Sequence, residues 1–248
     1  MSKPQMSPIK HIAISLLVLA AVLLTFEFTN LDLWVQSLFY NSQTQSWVLD
    51  TSHPILHFML YDGPKKLLVI FEVSLLIAAV CFHKRALIKS YQQGILIVLI
   101  ALPLGPSLVS SLKSTTNVSC PYALTQYGGD LPYIGVFEHY PSDQQPDKRQ
   151  RCFPAGHASG GFALLALVYL MKTLRRKRQI LMLAITAGAL MGGYKMAVGH
   201  HFLSHTLVSM ILCWFVVNLV ALLVLPWPDK HRHAVDDFLP EAACAKPE

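Results

Sequence analysis

The strongest constraint on the fold of this chain is a series of apolar runs, each about as long as a membrane is thick. Several runs of 16 or more residues carry almost no charge, and a helix needs about 20 apolar residues to cross a bilayer. Apolar residues make up 53% of the 248-residue chain, and charged residues make up only 14%. This composition excludes an ordinary soluble domain and predicts an all-α integral membrane protein with a single domain, residues 1–248.

The apolar runs predict a bundle of six transmembrane helices. Their expected limits are 11–28, 65–82, 94–112, 157–172, 179–197 and 203–225. No small-residue cleavage site follows the first run, in "LLTFEFTN", so we interpret that run as a retained helix rather than a signal peptide. An even number of helices places both termini on the same side of the membrane.

The distribution of basic residues predicts which side that is. The two termini and the connections around 83–90 and 172–178 carry 13 of the 20 Lys and Arg residues, and the opposite segments carry the other 7. Because positive charge accumulates on the cytoplasmic side, we expect both termini, including the tail 226–248, to be cytoplasmic. The net charge of +6 is then mostly a topology signal, and we expect no nucleic-acid partner.

An aromatic, half-polar segment, 29–64, separates the first two predicted helices. It contains Trp34, Phe39, Tyr40 and Trp47 among polar residues. Such a composition is typical of a segment that lies in the membrane interface rather than crossing the bilayer. A loop with incidental aromatic residues is the alternative.

Three clusters of polar residues map to the outer ends of the predicted helices. They are "KSTTNVSCP" from Lys113 to Pro121, "CFPAGHAS" from Cys152 to Ser159, and "YKMAVGHHFLSH" from Tyr194 to His205. The clusters are far apart in sequence, yet a six-helix bundle can bring all of them to one pocket. We therefore expect a functional site at the outer face.

The residue types in these clusters suit phosphate binding and transfer. The "PAGHAS" segment leads into a helix start, where the first N–H groups bind anions, which makes Ala155 and Gly156 candidate phosphate ligands. His157 is positioned to donate a proton. Lys113 and Lys195 are cations for an anionic headgroup.

Two further histidines are spaced like a coupled pair. His201 and His205 stand at i and i+4, so one imidazole can accept the Nδ1–H of the other and leave Nε2 free to attack. We expect His200 to be structural or to support its neighbours.

Two cysteines fall near the ends of the long outer loop. Cys120 and Cys152 would meet oxidising conditions there and can form a disulfide, which would stabilise the fold by about 3–4 kcal/mol. Two free thiols are the alternative.

These residues give the chain a resemblance to the type 2 phosphatidic acid phosphatase family, whose motifs read K-x6-R-P, P-S-G-H and S-R-x5-H-x3-D. Lys113, the "PAGH" segment 154–157 and His201 match the three motifs. Cys120 stands in the place of the first arginine, and Lys195 in the place of the second. The match covers roughly residues 90–225, and "CFPAGHAS" with "GHHFLS" resembles the bacterial branch that includes lipid A 1-phosphatases.

The resemblance implies roles for the site residues. His201 would form a phosphohistidine, His157 would protonate the leaving lipid oxygen, and Lys113, Lys195 and the Gly156 amide would bind phosphate, without a metal or other cofactor. The implied location is the bacterial inner membrane, with the site on its periplasmic face.

The positions that differ from the family motifs also lead to predictions. A lysine binds phosphate only as a point charge, so Arg151 is a candidate replacement for the missing guanidinium. His205 occupies the place of an aspartate that would orient the nucleophile. We therefore expect activity to fall on acidification between about pH 8 and 5, and His205→Asp to be tolerated.

The sequence leaves several functions open. The phosphoryl acceptor can be water, in a lipid phosphatase, or a second lipid, in a phosphotransferase, and the substrate can be lipid A, undecaprenyl pyrophosphate or another phosphorylated lipid. A zinc site made of His157, His201 and His205 is a further reading. The last alternative is a degenerate member that handles lipids or anions without catalysis. The oligomeric state is not indicated.

Overall fold

The computed structural model of the protein describes residues 7–50, 55 and 58–225. The predicted cytoplasmic tail, 226–248, lies outside these residues. Seven α-helices make up most of the described chain, and we number them in chain order: α1 Pro8–Glu27, α2 Leu31–Ser37, α3 Gly63–Cys81, α4 Ala86–Thr115, α5 Gly156–Ala163, α6 Leu174–Ala197 and α7 Leu203–Val224.

Shorter elements complete the architecture. A 3₁₀ helix, Leu164–Leu170, continues α5, and a π-helical turn, Phe58–Asp62, precedes α3. Two further 3₁₀ turns are Pro121–Ala123 and Thr125–Tyr127. Strands β1 Tyr40–Asn41 and β2 Ser46–Trp47 form an antiparallel hairpin in which Tyr40 lies opposite Trp47. The expected all-α class therefore holds except for this hairpin, which the sequence did not predict.

Helices cover each of the six predicted apolar segments. Four of them are long and apolar enough to cross a membrane, namely α1, α4, α6 and α7. The segment Gly156–Leu170 is shorter, but its 3₁₀ half rises more steeply per residue, so it reaches about 26 Å. Helix α3 carries Lys65, Lys66 and Glu72 in its otherwise apolar sequence.

Helix α4 is longer than predicted. We expected it to begin at residue 94, after a basic connection at 83–90, but it begins at Ala86. The reason is that residues 86–93, "ALIKSYQQ", mix polar and apolar side chains and include good helix formers, so the helix begins before its continuous apolar part. Pro103 and Pro106 lie inside it, as expected.

The core forms around α5, which α4, α6 and α7 surround. Ala158, Ala163 and Ala166 are buried there against α4 and α7. Where α5 meets α6, a side chain on Gly161 would lie 2.6 Å from the backbone of Gly188, so small residues permit close approach. Close packing around this central helix fixes the ends of its neighbours, and those ends carry the three polar clusters.

The segment between α1 and α3 folds back over the turn that joins α6 to α7. The Gln36 amide donates to the Met196 carbonyl over 2.8 Å. The Trp47 ring packs against Gly199, where any side chain would collide with the ring. The φ of +74° at this residue also favours glycine. The aromatic segment expected to be interfacial thus supports the turn that carries His200 and His201.

Candidate active site

The three polar clusters meet at one end of the helix bundle. His157 lies in the first turn of α5, His201 in the turn between α6 and α7, and His205 in the first turn of α7. The ring centroids of His157 and His201 are 5.7 Å apart, and so are those of His201 and His205. The structure therefore brings together the residues that the sequence singled out for phosphoryl transfer.

His201 has the properties of a neutral nucleophile. Its side chain is 2% exposed, and its Nε2 is buried without a hydrogen-bond partner among the described residues. Burial, followed by the neighbouring charges of His205 and Lys113, lowers the pKa of His201 well below its ordinary value. A neutral ring whose Nε2 is not hydrogen-bonded can attack an electrophile such as phosphorus once the two are in contact.

His205 does not orient His201 in the expected way. Nδ1 of His201 lies 3.6 Å from Sγ of Cys152, whereas the His205 ring forms its hydrogen bond with the backbone of Cys152. Each ring therefore contacts Cys152 in place of the expected hydrogen bond between the two rings. The physical reason is the turn after Gly199, which directs Nδ1 of His201 toward the 116–155 loop instead of along α7.

The start of α5 offers a seat for an anion at Gly156 but not at Ala155. A side chain added to Gly156 would meet no atom within 4 Å, so there is open space beside the first residue of this helix, where an anion can approach its N–H groups. The Ala155 amide, in contrast, donates to the His205 carbonyl over 3.1 Å, and the residue is fully buried. Ala155 thus anchors α5 to α7, and in this structure its amide is bonded to the His205 carbonyl rather than directed at a phosphate site.

Two lysines bring positive charge to the site. Lys113 lines a cavity beside His157, and Lys195 is 5% exposed in the last turn of α6. Burial lowers the pKa of His200, and the charges of Lys195 and Lys113 add to the effect. Both cations therefore act on the same turn of the chain, as binding of a phosphate dianion would require.

Arg151 does not occupy the site. Its side chain is exposed, because the chain turns outward immediately before the buried Cys152. The guanidinium that reaches α4 belongs to Arg149, which donates to the carbonyls of Thr115 and Thr116. This arginine completes the C-terminal end of α4, near Lys113.

A cavity of about 450 Å³ opens beside Lys113 and His157. Its walls are mostly apolar and include both prolines of α4, and α3 contributes Lys65 and Glu72. Neither residue belongs to the three polar clusters that the sequence indicated. Charged and apolar groups together match the polar head and apolar body of a lipid.

Cys120 and Cys152 form a disulfide, with Cα atoms 5.2 Å apart. Sγ of Cys152 also lies 2.8 Å from the carbonyl oxygen of His200. Potential metal-ligand atoms of Cys152, His201 and His205 lie within 4.8 Å of one another. The sulfur is committed to the disulfide and offers no thiolate, which leaves this cluster two ring nitrogens, fewer than the three protein ligands of a usual catalytic zinc site.

Asp32 is a site residue that the sequence did not reveal. Its carboxylate, on α2, accepts hydrogen bonds from the backbone N–H groups of Leu203 and Ser204 and from the Ser204 hydroxyl. Burial raises the pKa of Asp32 to about 6, although these hydrogen bonds oppose the rise. Asp32 thereby caps α7 from a distant segment and holds the turn that carries His201.

The chain is similar in sequence and in fold to proteins of one superfamily. Residues 94–228 match the PAP2 superfamily, over more than half of the chain. The lipid A 4'-phosphatase of Francisella tularensis subsp. novicida (strain U112) is 30% identical over 181 residues, which are 71% of this chain and 78% of the relative. The crystal structure of a transmembrane PAP2 type phosphatidylglycerolphosphate phosphatase from Bacillus subtilis gives a TM-score of 0.50 at 17% identity, covering 96% of this chain and 99% of that chain. At this identity the structural likeness concerns the fold alone.

Proposed function

The chain belongs to the PAP2 superfamily, and from this premise we propose that it hydrolyses the phosphate headgroup of a membrane lipid through a phosphohistidine intermediate. The observation that carries the proposal is the contact between His157 and His201, with ring centroids 5.7 Å apart, beside the open helix start at Gly156. An acid, a nucleophile and an anion seat are the groups that phosphoryl transfer needs.

The first chemical step breaks the bond between phosphorus and the lipid oxygen. The lone pair on Nε2 of His201 forms a bond to phosphorus, and the lipid oxygen leaves with the electron pair and takes a proton from His157. Lys113, Lys195 and the Gly156 N–H stabilise the charge on the phosphoryl oxygens.

The second step regenerates the protein. His157, now neutral, accepts a proton from a water molecule as the water oxygen attacks phosphorus. The bond between phosphorus and Nε2 of His201 breaks, and inorganic phosphate leaves. Each histidine returns to its initial protonation state.

We place the reaction at the periplasmic face of the bacterial inner membrane, in a bundle of six spans with both termini in the cytoplasm. This orientation is supported by the excess of Lys and Arg in the termini and in the connections on their side. Reporter fusions at residues 84 and 130 should fall on opposite sides of the membrane, and fusions on the same side would contradict it.

Lipid A is the first substrate to test, because a curated relative acts on a lipid A phosphate. The protein, purified in detergent, is incubated with lipid A, undecaprenyl pyrophosphate, phosphatidylglycerol phosphate or phosphatidate, and released phosphate is measured. We expect release from at least one of these lipids and none from His201→Gln, in which an amide replaces the ring. Release that persists in His201→Gln would refute the mechanism.

The intermediate can be detected directly. A lipid labelled with ³²P in the transferred phosphate should leave label on the intact protein, stable to base and lost in acid, as expected for a P–N bond. His157→Gln should lose this label or accumulate it, depending on which step becomes slower, while His201→Gln should never acquire it. Transfer of label to a second lipid instead of water would identify a phosphotransferase.

A further inference from the structure

We propose that the Cys120–Cys152 disulfide holds the ring proton of His201 on Nδ1 and so keeps Nε2 as the reactive nitrogen. The inference rests on the proposed function, in which Nε2 of His201 attacks phosphorus. In many catalytic histidines a carboxylate behind the ring performs this task. Here a sulfur atom performs it, and the reactivity of His201 therefore depends on the oxidation state of the cysteine pair.

The contact that carries this inference joins Nδ1 of His201 to Sγ of Cys152 over 3.6 Å. Both residues are buried, and Cys152 is fully so. On the opposite edge of the ring, Nε2 of His201 has no hydrogen-bond partner among the described residues. The sulfur is therefore the group that distinguishes one ring nitrogen from the other.

The chemistry of the sulfur decides which nitrogen carries the proton. A disulfide sulfur has no hydrogen, so it can accept a weak hydrogen bond but cannot donate one. Nδ1 must then be the donor in this contact, because two lone pairs facing each other would repel. A neutral histidine protonated on Nδ1 has its lone pair on Nε2.

The Asp32 carboxylate, which holds this turn, is engaged with other groups. Asp32 accepts the N–H groups of Leu203 and Ser204 and the Ser204 hydroxyl. The groups whose charges act on His201 are histidines and Lys113. Within the described part of the chain, the sulfur is thus the acceptor that Nδ1 contacts.

The backbone holds this sulfur in place independently of the disulfide. The Cys152 N–H donates to the Val118 carbonyl over 3.1 Å, and the His205 ring forms a hydrogen bond with the Cys152 backbone. A reduced Cys152 therefore stays beside His201. The change on reduction is chemical, from a sulfur without hydrogen to a thiol.

Reduction by a dithiol breaks the S–S bond, transfers two electrons and two protons to the cysteines, and leaves the reductant as a disulfide. The Cys152 thiol can then donate its hydrogen to Nδ1 of His201 or to the His200 carbonyl, 2.8 Å from Sγ. When Nδ1 accepts, the ring proton moves to Nε2, and that nitrogen has no lone pair for attack. The reduced protein is therefore a mixture of reactive and unreactive tautomers.

The test measures the tautomer of His201 and the rate in the same samples. Protein containing ¹⁵N-labelled histidine is prepared oxidised, reduced with dithiothreitol, and as Cys120→Ser, which leaves the Cys152 thiol without a partner. The His201 signals are assigned by their loss in His201→Gln. Oxidised protein should show the shifts of a ring protonated on Nδ1, and both other samples should show protonation of Nε2 as well.

We expect kcat for lipid A in the reduced and Cys120→Ser proteins to fall to the fraction of His201 that stays protonated on Nδ1, because a wrong tautomer in a catalytic histidine costs up to about 10⁴ and contributes almost nothing to the rate. Reoxidation should restore both the shifts and kcat. Cys81→Ser, which removes an exposed free cysteine, is the matched control and should respond to reduction like the unaltered protein.

Several results would overturn the inference. A folded, reduced protein with unchanged His201 shifts, or with changed shifts and unchanged kcat, would do so. If the reduced chain unfolds at every assay temperature, the disulfide serves as a cross-link and the inference fails. Absence of activity in the oxidised protein on every lipid tested would refute the proposed function instead, and the ring shifts would still test the tautomer.

Discussion

The pH dependence of stability at Asp32 tests how the candidate site is held together. Its carboxyl group is 3% exposed, and burial raises its pKa from an ordinary 3.8 to about 6. A carboxyl group with a raised pKa is more costly to ionise in the folded protein than in the unfolded chain. The ionised form of Asp32 therefore lowers the free energy of unfolding.

The size of this effect follows from the change in pKa. A rise of this extent corresponds to about 3 kcal/mol. The contribution is fully present below about pH 4 and is lost as the pH rises through about 6. Asp32→Asn removes the ionisation and retains one accepting oxygen, so it should be less stable than the unaltered protein at pH 4 by about 1–3 kcal/mol, for lost hydrogen bonds. Because only the unaltered protein loses about 3 kcal/mol as the pH rises, Asp32→Asn should be as stable at pH 7 or up to about 2 kcal/mol more stable.

The assay is unfolding by SDS in mixed micelles between pH 4 and 7, followed by tryptophan fluorescence. The difference between the two proteins isolates Asp32, because the buried histidines titrate in both. Asp143→Asn, at an exposed position in the outer loop, is the matched control and should follow the unaltered protein. A difference between Asp32→Asn and the unaltered protein that stays constant over this range would refute the reasoning.

Three further outcomes are expected. Gly188→Ala should lower the free energy of unfolding by about 1–3 kcal/mol, because the added methyl group would lie 2.2 Å from a phenylalanine ring. Gly193→Ala, on the same helix, faces open space and should be neutral or stabilising in the same titration. His205→Asp should lower kcat, because an ionised carboxylate cannot donate to the Cys152 backbone. Full activity would instead support the prediction from the family motif that this substitution is tolerated. The midpoint of the fall of kcat/KM on acidification should lie well below pH 6.5, because burial keeps His201 neutral. This is lower than the sequence suggested, and a midpoint above 6.5 would contradict it.

Much of the helical plan follows from the sequence, because membrane helices are encoded by local composition. Each predicted run became a helix, and the motif clusters around His157 and His201 met as expected. The start of α4 was misplaced by eight residues, since the mixed polar and apolar residues 86–93 belong to a helix that apolar content alone cannot delimit. The 3₁₀ half of the Gly156–Leu170 segment arises from packing, and the spacing of apolar residues in the sequence does not reveal it.

The parts of the site that escaped prediction depend on distant contacts. Asp32 and Gln36 lie in a segment without a motif, and each reaches a partner at least 160 positions away. The hydrogen bond of His205 with Cys152 depends on the path of the outer loop, which the spacing of His201 and His205 cannot reveal. Sequence indicates which residue types react, whereas their partners are set by tertiary structure.

The bond between the Ala155 amide and the His205 carbonyl has a consequence for how a substrate enters. The Ser209 hydroxyl contacts the carbonyl oxygens of both Ala155 and His205, over 3.0 and 2.9 Å, so the helix starts that carry His157 and His205 belong to one unit, next to His201. Helix α3, on the other side of the cavity, has no buried residue. We expect α3 to move when lipids with headgroups of different size bind. The distance between His157 and His201 should stay constant.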